Sequence, residues 1–230
     1  GHNAVWNKDS ALDGIGHGII ISPVHDNKER VAKLPAELKE KSLFDPQFYL
    51  PSSQKKKFKT YPFFPETMAN SFNTVDFTLM SLEAAKLCVN FQLEEGFESL
   101  IIPARFFEQM DPQYIEKQEE LTVEPFLKAI SERADAKGKK VFLTLPITSH
   151  MIESESFLDN LLNWITSYPE ISGIYLICQY DRPTKQICNS QFLYDFMRTM
   201  YEIQQADLEL IVGYSNTESL LYTTTGNLSI

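Results

Sequence analysis

Short, nearly continuous apolar runs recur along this chain, each followed by a stretch of helical periodicity, and this alternation limits the fold more than any other feature. The runs are Gly18–Pro23, Ser42–Pro46, Ser99–Pro103, Val141–Pro146, Gly173–Cys178 and Leu208–Val212, and a seventh opens at Leu228. Apolar residues that do not alternate with polar ones predict strands covered on both faces, as in a parallel sheet. Between them, helices are predicted at 34–41, from Asn70 to Gly96 (Phe72, Val75, Leu79, Leu82, Leu87, Leu93), over 124–137 (Phe126, Leu127, Ile130, Ala134), over 157–165 and over 192–203. Pro35 suits a first helical turn, Ser154 or Ser156 can cap the 157–165 helix, and Thr217 can cap a short one ending at Gly226.

Repeated strand–helix units predict an α/β fold with a parallel sheet. A (β/α) barrel is the favoured form, with six to seven strands. Its strands end alike, at Ser22-Pro23, Asp45-Pro46, Ile102-Pro103 and Leu145-Pro146, and none is followed by a glycine-rich nucleotide turn. A closed eight-fold barrel calls for one further unit, so an open doubly wound parallel sheet is the alternative. The chain reads as one domain over 1–230, with a Pro/Lys/aromatic-rich insertion at 50–65. Gly1-His2-Asn3 has the look of a cleaved tag and is left out of the fold reading.

Apolar residues make up 43% of the 230, enough for a sizeable core, and no apolar run reaches membrane-spanning length. Three cysteines without paired spacing (Cys88, Cys178, Cys188), and no secretory leader, predict a cytoplasmic protein. Cys88 and Cys178 read as small buried hydrophobes, and no metal-ligand spacing is present. The net charge of −10 argues against wholesale nucleic-acid or anionic-membrane binding.

In either architecture the ligand site lies at the carboxyl ends of the strands. Asp45, held by Pro46 and followed by Gln47 and Tyr49, can serve as an acid–base carboxylate with an orienting amide, or as a turn that caps its own backbone. Arg105 follows the third strand, where a guanidinium can clamp a carboxylate or phosphate or form an ion pair. Gln179 and Asp181 follow the fifth strand, and Ser215 and Asn216 follow the sixth, as anion donors or plain helix caps. The catalytic candidates are Asp45, Gln47, Arg105 and Gln179. The substrate-binding candidates are Tyr49, Asp181, Ser215, Asn216, Lys56 and Lys57. His25 and His150 lie at the same ends and read as loop residues, and no nucleophile elbow is present.

Residues 54–64 interleave Lys55, Lys56, Lys57 and Lys59 with Phe58, Tyr61, Phe63 and Phe64. Three readings fit: a phosphate-backbone grip with base stacking, a protein-docking loop over 58–64, or aromatics tucked inward beneath solvated lysines.

The layout resembles TIM-barrel proteins over nearly the whole chain. The strand-then-Asp opening is similar to tRNA-guanine transglycosylase-type barrels, which exchange bases on nucleic acid. Asp45 and Phe48 match their Asp-Ser-Gly-Gly-Phe turn, whereas Pro46 and Gln47 depart from it and the cysteine-rich zinc motif is absent. The segments 42–49 and 213–216 also resemble parts of uncharacterised bacterial barrel proteins. Together these readings imply an enzyme, a transferase or hydrolase, acting on a polar, phosphate-bearing or nucleotide substrate. A non-catalytic binding module and a nucleic-acid binder are the alternatives, and no cofactor is assigned.

Overall fold

The computed structural model describes residues 4–49, 57–64, 77–105, 111–179, 187, 189–215, 218–226 and 228–229. The chain divides into two compact units, one of residues 1–105 and 117–141, the other of 106–116 and 142–230.

The first unit begins with α1 (Ala4–Leu12), β1 (Ile20–Ile21), α2 (Lys28–Ala32), α3 (Ala36–Lys41) and β2 (Leu43–Phe44). β1 and β2 pair in parallel, Ile20 opposite Leu43 and Ile21 opposite Phe44. Both strands are shorter than the apolar runs imply, since Pro23 and Pro46 lack the N–H that a longer ladder needs. Asn27 caps α2, its Oδ1 accepting from the Arg30 N–H at 3.0 Å. Pro35 sits one residue ahead of α3, as its cap. The chain continues through a 3-10 turn at Phe58–Thr60, then α4 (Phe77–Glu94), which ends at Gly96 with φ +84°. β3 (Ser99–Ile102) follows. The chain returns to this unit within α5 (Tyr114–Gln118), at Lys117, and goes on through a π-helical turn at Glu119–Val123 and α6 (Glu124–Ser131). Neither α2 nor α5 is foreseen by the periodicity.

The start predicted for α4, with Phe72 and Val75, lies outside the described residues. Its buried face also differs from the predicted stripe. Ala84, Ala85, Cys88, Val89, Phe91 and Gln92 are buried, while Leu82 and Leu87 are half-buried. Small side chains at 84, 85 and 88 let the helix axis come close to its neighbours, which the larger leucines cannot do. Cys88 is the buried small hydrophobe expected of it; Cys178 is only half-buried.

β3 lies beside β2 but joins no ladder with it among the described residues. Instead the buried side chain of Gln92 takes up the backbone of Ile101. Its Oε1 accepts from the Ile101 N–H at 2.8 Å, and its Nε2 donates to the Ile101 carbonyl at 3.1 Å. A tethered amide thus stands where a neighbouring strand would offer the same donor and acceptor.

In the second unit, β4 (Lys140–Thr148), β5 (Gly173–Gln179), β6 (Glu209–Val212) and β7 (Leu228–Ser229) form consecutive parallel pairs. Thr144, Tyr175, Ile211 and Ser229 stand in one row across it. α7 (Ser149–Glu153) and α8 (Glu155–Ile165) follow β4, α9 (Ser190–Gln205) follows β5, and α10 (Ser219–Tyr222) follows β6. Helices between parallel strands are the crossovers that such pairing requires. Ser154 caps α8, accepting from the Phe157 N–H at 3.4 Å, and Asn189 caps α9. Ser154→Ala is expected to lower stability by about 1 kcal/mol, read from the urea midpoint at constant slope.

The fold is therefore mixed α/β with parallel strands, as the open-sheet alternative requires, and no closed barrel is seen among the described strands. Among the described residues, no helix is long and apolar enough to cross a membrane.

Candidate functional site

In the first unit, polar side chains are buried just past the carboxyl ends of the strands. Asp45 leaves β2 with its N–H still on the ladder, bonded to the Ile21 carbonyl at 2.8 Å. Its residue is 1% exposed. Oδ1 accepts from the Gln47 N–H at 2.9 Å and Oδ2 from the Tyr49 hydroxyl at 2.7 Å. Gln47 has φ +59°, a left-handed conformation that costs a residue with a Cβ about 1–2 kcal/mol. Its Oε1 accepts from the Val24 N–H at 3.1 Å, which ties the Asp45–Tyr49 turn to the chain leaving β1. Sequence placed Asp45, Gln47 and Tyr49 together, and the structure joins them by hydrogen bonds.

Arg105 leaves β3 and is 4% exposed. Its N–H donates to Gln118 Oε1 at 3.0 Å, its carbonyl accepts from Gln118 Nε2, and its Nη2 donates to Ser81 Oγ at 3.4 Å. Burial lowers its pKa to about 10, against the pull of the Glu120 carboxylate, which favours the charge.

One face of α4 relates the two groups. Ser81, at its start, takes the Arg105 guanidinium. Cys88 lies two turns on, about 10 Å along the axis. Burial pushes the Cys88 thiol well up, the Gln92 amide opposes this, and the Asp45 charge adds to the rise.

Segment 57–64 belongs to this unit's core. Phe58, Tyr61, Phe63 and Phe64 are all 0% exposed, so the reading of Phe63 and Phe64 as an exposed docking pair is corrected. Their rings pack on Phe44, Phe48 and Phe91, because burying large apolar rings outweighs displaying them. The polar edge is fixed as well. Tyr61 donates to the Asp26 carbonyl at 2.7 Å, the Lys28 N–H donates to Thr60 Oγ1 at 3.0 Å, and Lys57 Nζ donates to the His25 carbonyl. Lys59 is exposed. Asp26 pairs with Lys8 at 3.6 Å and Arg30 at 3.4 Å.

The remaining candidates lie in the second unit or outside the described residues. Gln179 ends β5 in the second unit and is exposed. Ser215, in the same unit, turns its hydroxyl to the Val212 carbonyl at 3.4 Å. Thr148 caps α7, and His150 on that helix is exposed beside Glu153. Lys56, Asp181 and Asn216 lie outside the described residues.

Sequence reasoning missed Gln92, Gln118 and Ser81. Gln92 had a signal, a polar residue one turn beyond Cys88 on an apolar face; Gln118 had none, since its helix was not recognised. Among the described residues no group of His, Cys, Asp and Glu is placed to hold a metal ion. Compared with protein-family models, with curated proteins and with solved structures, the chain finds no match in any of the three.

Proposed function

We propose that the protein is an enzyme, a transferase or hydrolase, acting on a polar substrate that carries an anionic group such as a phosphate. The observation that carries this reading is the carboxylate of Asp45 and the guanidinium of Arg105, both buried just past the carboxyl ends of strands β2 and β3 in one unit. Removing each charge from water costs several kcal/mol, and apolar packing there would be more stable. The left-handed Gln47 adds strain at the same place. A fold keeps such costs where chemistry uses them. The rule placing ligands at strand carboxyl ends is the same for a (β/α) barrel and an open parallel sheet.

In this reading Arg105 holds the substrate's anion and Asp45 is the general base. Its carboxylate takes the proton of a hydroxyl or water as that oxygen bonds to the substrate's electrophilic atom, while the bond to the leaving group breaks and the leaving group departs with the electron pair, to be protonated by water. Tyr49, donating to Oδ2, keeps that carboxylate oriented, and Gln47 fixes the turn.

The test uses inorganic phosphate as probe. Thermal unfolding is followed with rising phosphate at constant ionic strength, in the native protein and in Arg105→Gln and Arg105→Lys. Saturating phosphate is expected to stabilise the native protein, by about 2.7 kcal/mol at a hundredfold excess over Kd. Arg105→Gln should lose that gain and Arg105→Lys keep part of it. An equal gain in Arg105→Gln, or none in the native protein, would overturn the reading.

A further inference from the structure

The π-helical turn between α5 and α6 is a break in an otherwise regular helix, and its cause is in the sequence. Pro125 has no N–H to give the Leu121 carbonyl, and its ring crowds that carbonyl. The helix widens just before it, and the Glu124 N–H reaches back five residues to the Glu119 carbonyl.

The widening changes which side chains share a face. Eight residues separate Gln118 from Phe126. On a regular helix, at about 100° per residue, that step turns the second side chain about 80° away from the first. With one residue absorbed by the wide turn, the step equals about seven, and the two fall within about 20° of one another. Their partners are the two halves of the proposed site. Gln118 clamps the Arg105 backbone, while the Phe126 ring meets Phe48, between Gln47 and Tyr49, at 6.0 Å and 75°. Thr122, within the turn, donates to the Gln118 carbonyl and secures the clamp from below.

We propose that this π turn is a positioning device, in which Gln118 seats Arg105 while Phe126, brought to the same face, seats the Asp45 turn. Gln118 is therefore a positioning residue that acts through Arg105. This rests on the functional reading above for its purpose, though not for its geometry.

The two are separated by measuring amide hydrogen exchange at Arg105 alongside the phosphate response. In Gln118→Met, which keeps side-chain length but neither bond, exchange at the Arg105 amide is expected to speed up by about tenfold or more, with the phosphate response reduced. Gln118→Glu keeps the acceptor and should restore much of that protection, a rescue that loss of packing alone would not give. Deleting Leu121, which removes the extra residue, leaves Gln118 and Phe126 seven positions apart on a regular helix and so on one face still, and should keep much of the Arg105 protection if the variant folds. Should it fail to fold, Gln118→Met decides the matter. Unchanged Arg105 exchange in Gln118→Met would overturn the proposal whatever phosphate does. Faster exchange there, with a native protein indifferent to phosphate, would keep the positioning device and sink the functional reading.

Discussion

Phe44→Ala is expected to lower the unfolding free energy of the first unit by about 3–5 kcal/mol, the range for emptying a large aromatic site in a packed core. Phe44 is the last residue of β2, and its ring is the hub of an aromatic cluster. It meets Phe91 at 4.8 Å, Tyr61 at 5.5 Å, Phe97 at 5.8 Å and Phe63 at 6.2 Å. Those rings come from three places: segment 57–64, the end of α4 and the turn before β3. Their partners are fixed by other bonds, so they cannot close over the vacancy. Urea unfolding followed by the aromatic signal measures the loss, and Phe44→Leu should cost well under half as much. A loss below 1 kcal/mol for the alanine variant would show that segment 57–64 merely rests on the unit.

Gly18→Ala is expected to cost at least about 3 kcal/mol, although alanine in place of glycine ordinarily adds about 0.4–1 kcal/mol of stability through the unfolded chain. A Cβ at Gly18 would stand 1.9 Å from the Lys41 carbonyl oxygen and 2.8 Å from its carbon. Both are backbone atoms at the end of α3, so no side chain can swing aside. The two segments are also bonded together just beyond, through the Ile19 N–H to Ser42 Oγ at 3.2 Å and the Leu43 N–H to the Ile19 carbonyl at 3.1 Å. Moving the contact apart therefore pulls on the first rungs of the β1–β2 ladder. For a chain of this length the loss is a fall in Tm of about 6–12 °C, and an unchanged Tm would show that β1 is free to shift.

Much of this was legible in the sequence, for identifiable reasons. Every apolar run predicted as a strand contains one, and in β2, β3 and β4 burial on both faces accounts for the uninterrupted apolar signature. Ser154 was readable as a cap because its hydroxyl precedes a clear helical stripe. Asp45 and Arg105 were chosen as candidates by position alone, each following a strand, and both are buried there. The lysine-rich segment deceived in one respect. Its lysines suggest a surface, but the rings between them point the other way, and linear order does not report which side a residue takes in a segment without period. The helix around Gln118 was invisible for a different reason. One extra residue shifts the phase of its apolar stripe, so no single period fits 114–131, and Pro125 reads as a helix start rather than a wide turn within one.

Gln92 and Gln118 each spend both ends of a side-chain amide on one residue's backbone. Each therefore behaves as a borrowed peptide group, and its demands are those of a backbone rather than of a side chain. The genetic code gives it little room. A single base change turns glutamine into glutamate, lysine, histidine, arginine, leucine or proline, and none of these presents an acceptor and a donor side by side at the same reach. Asparagine has the pair but is one carbon short and more than one base away. These two positions are thus held by reach and polarity together, a constraint on sequence drift of a kind usually associated with residues that touch a ligand.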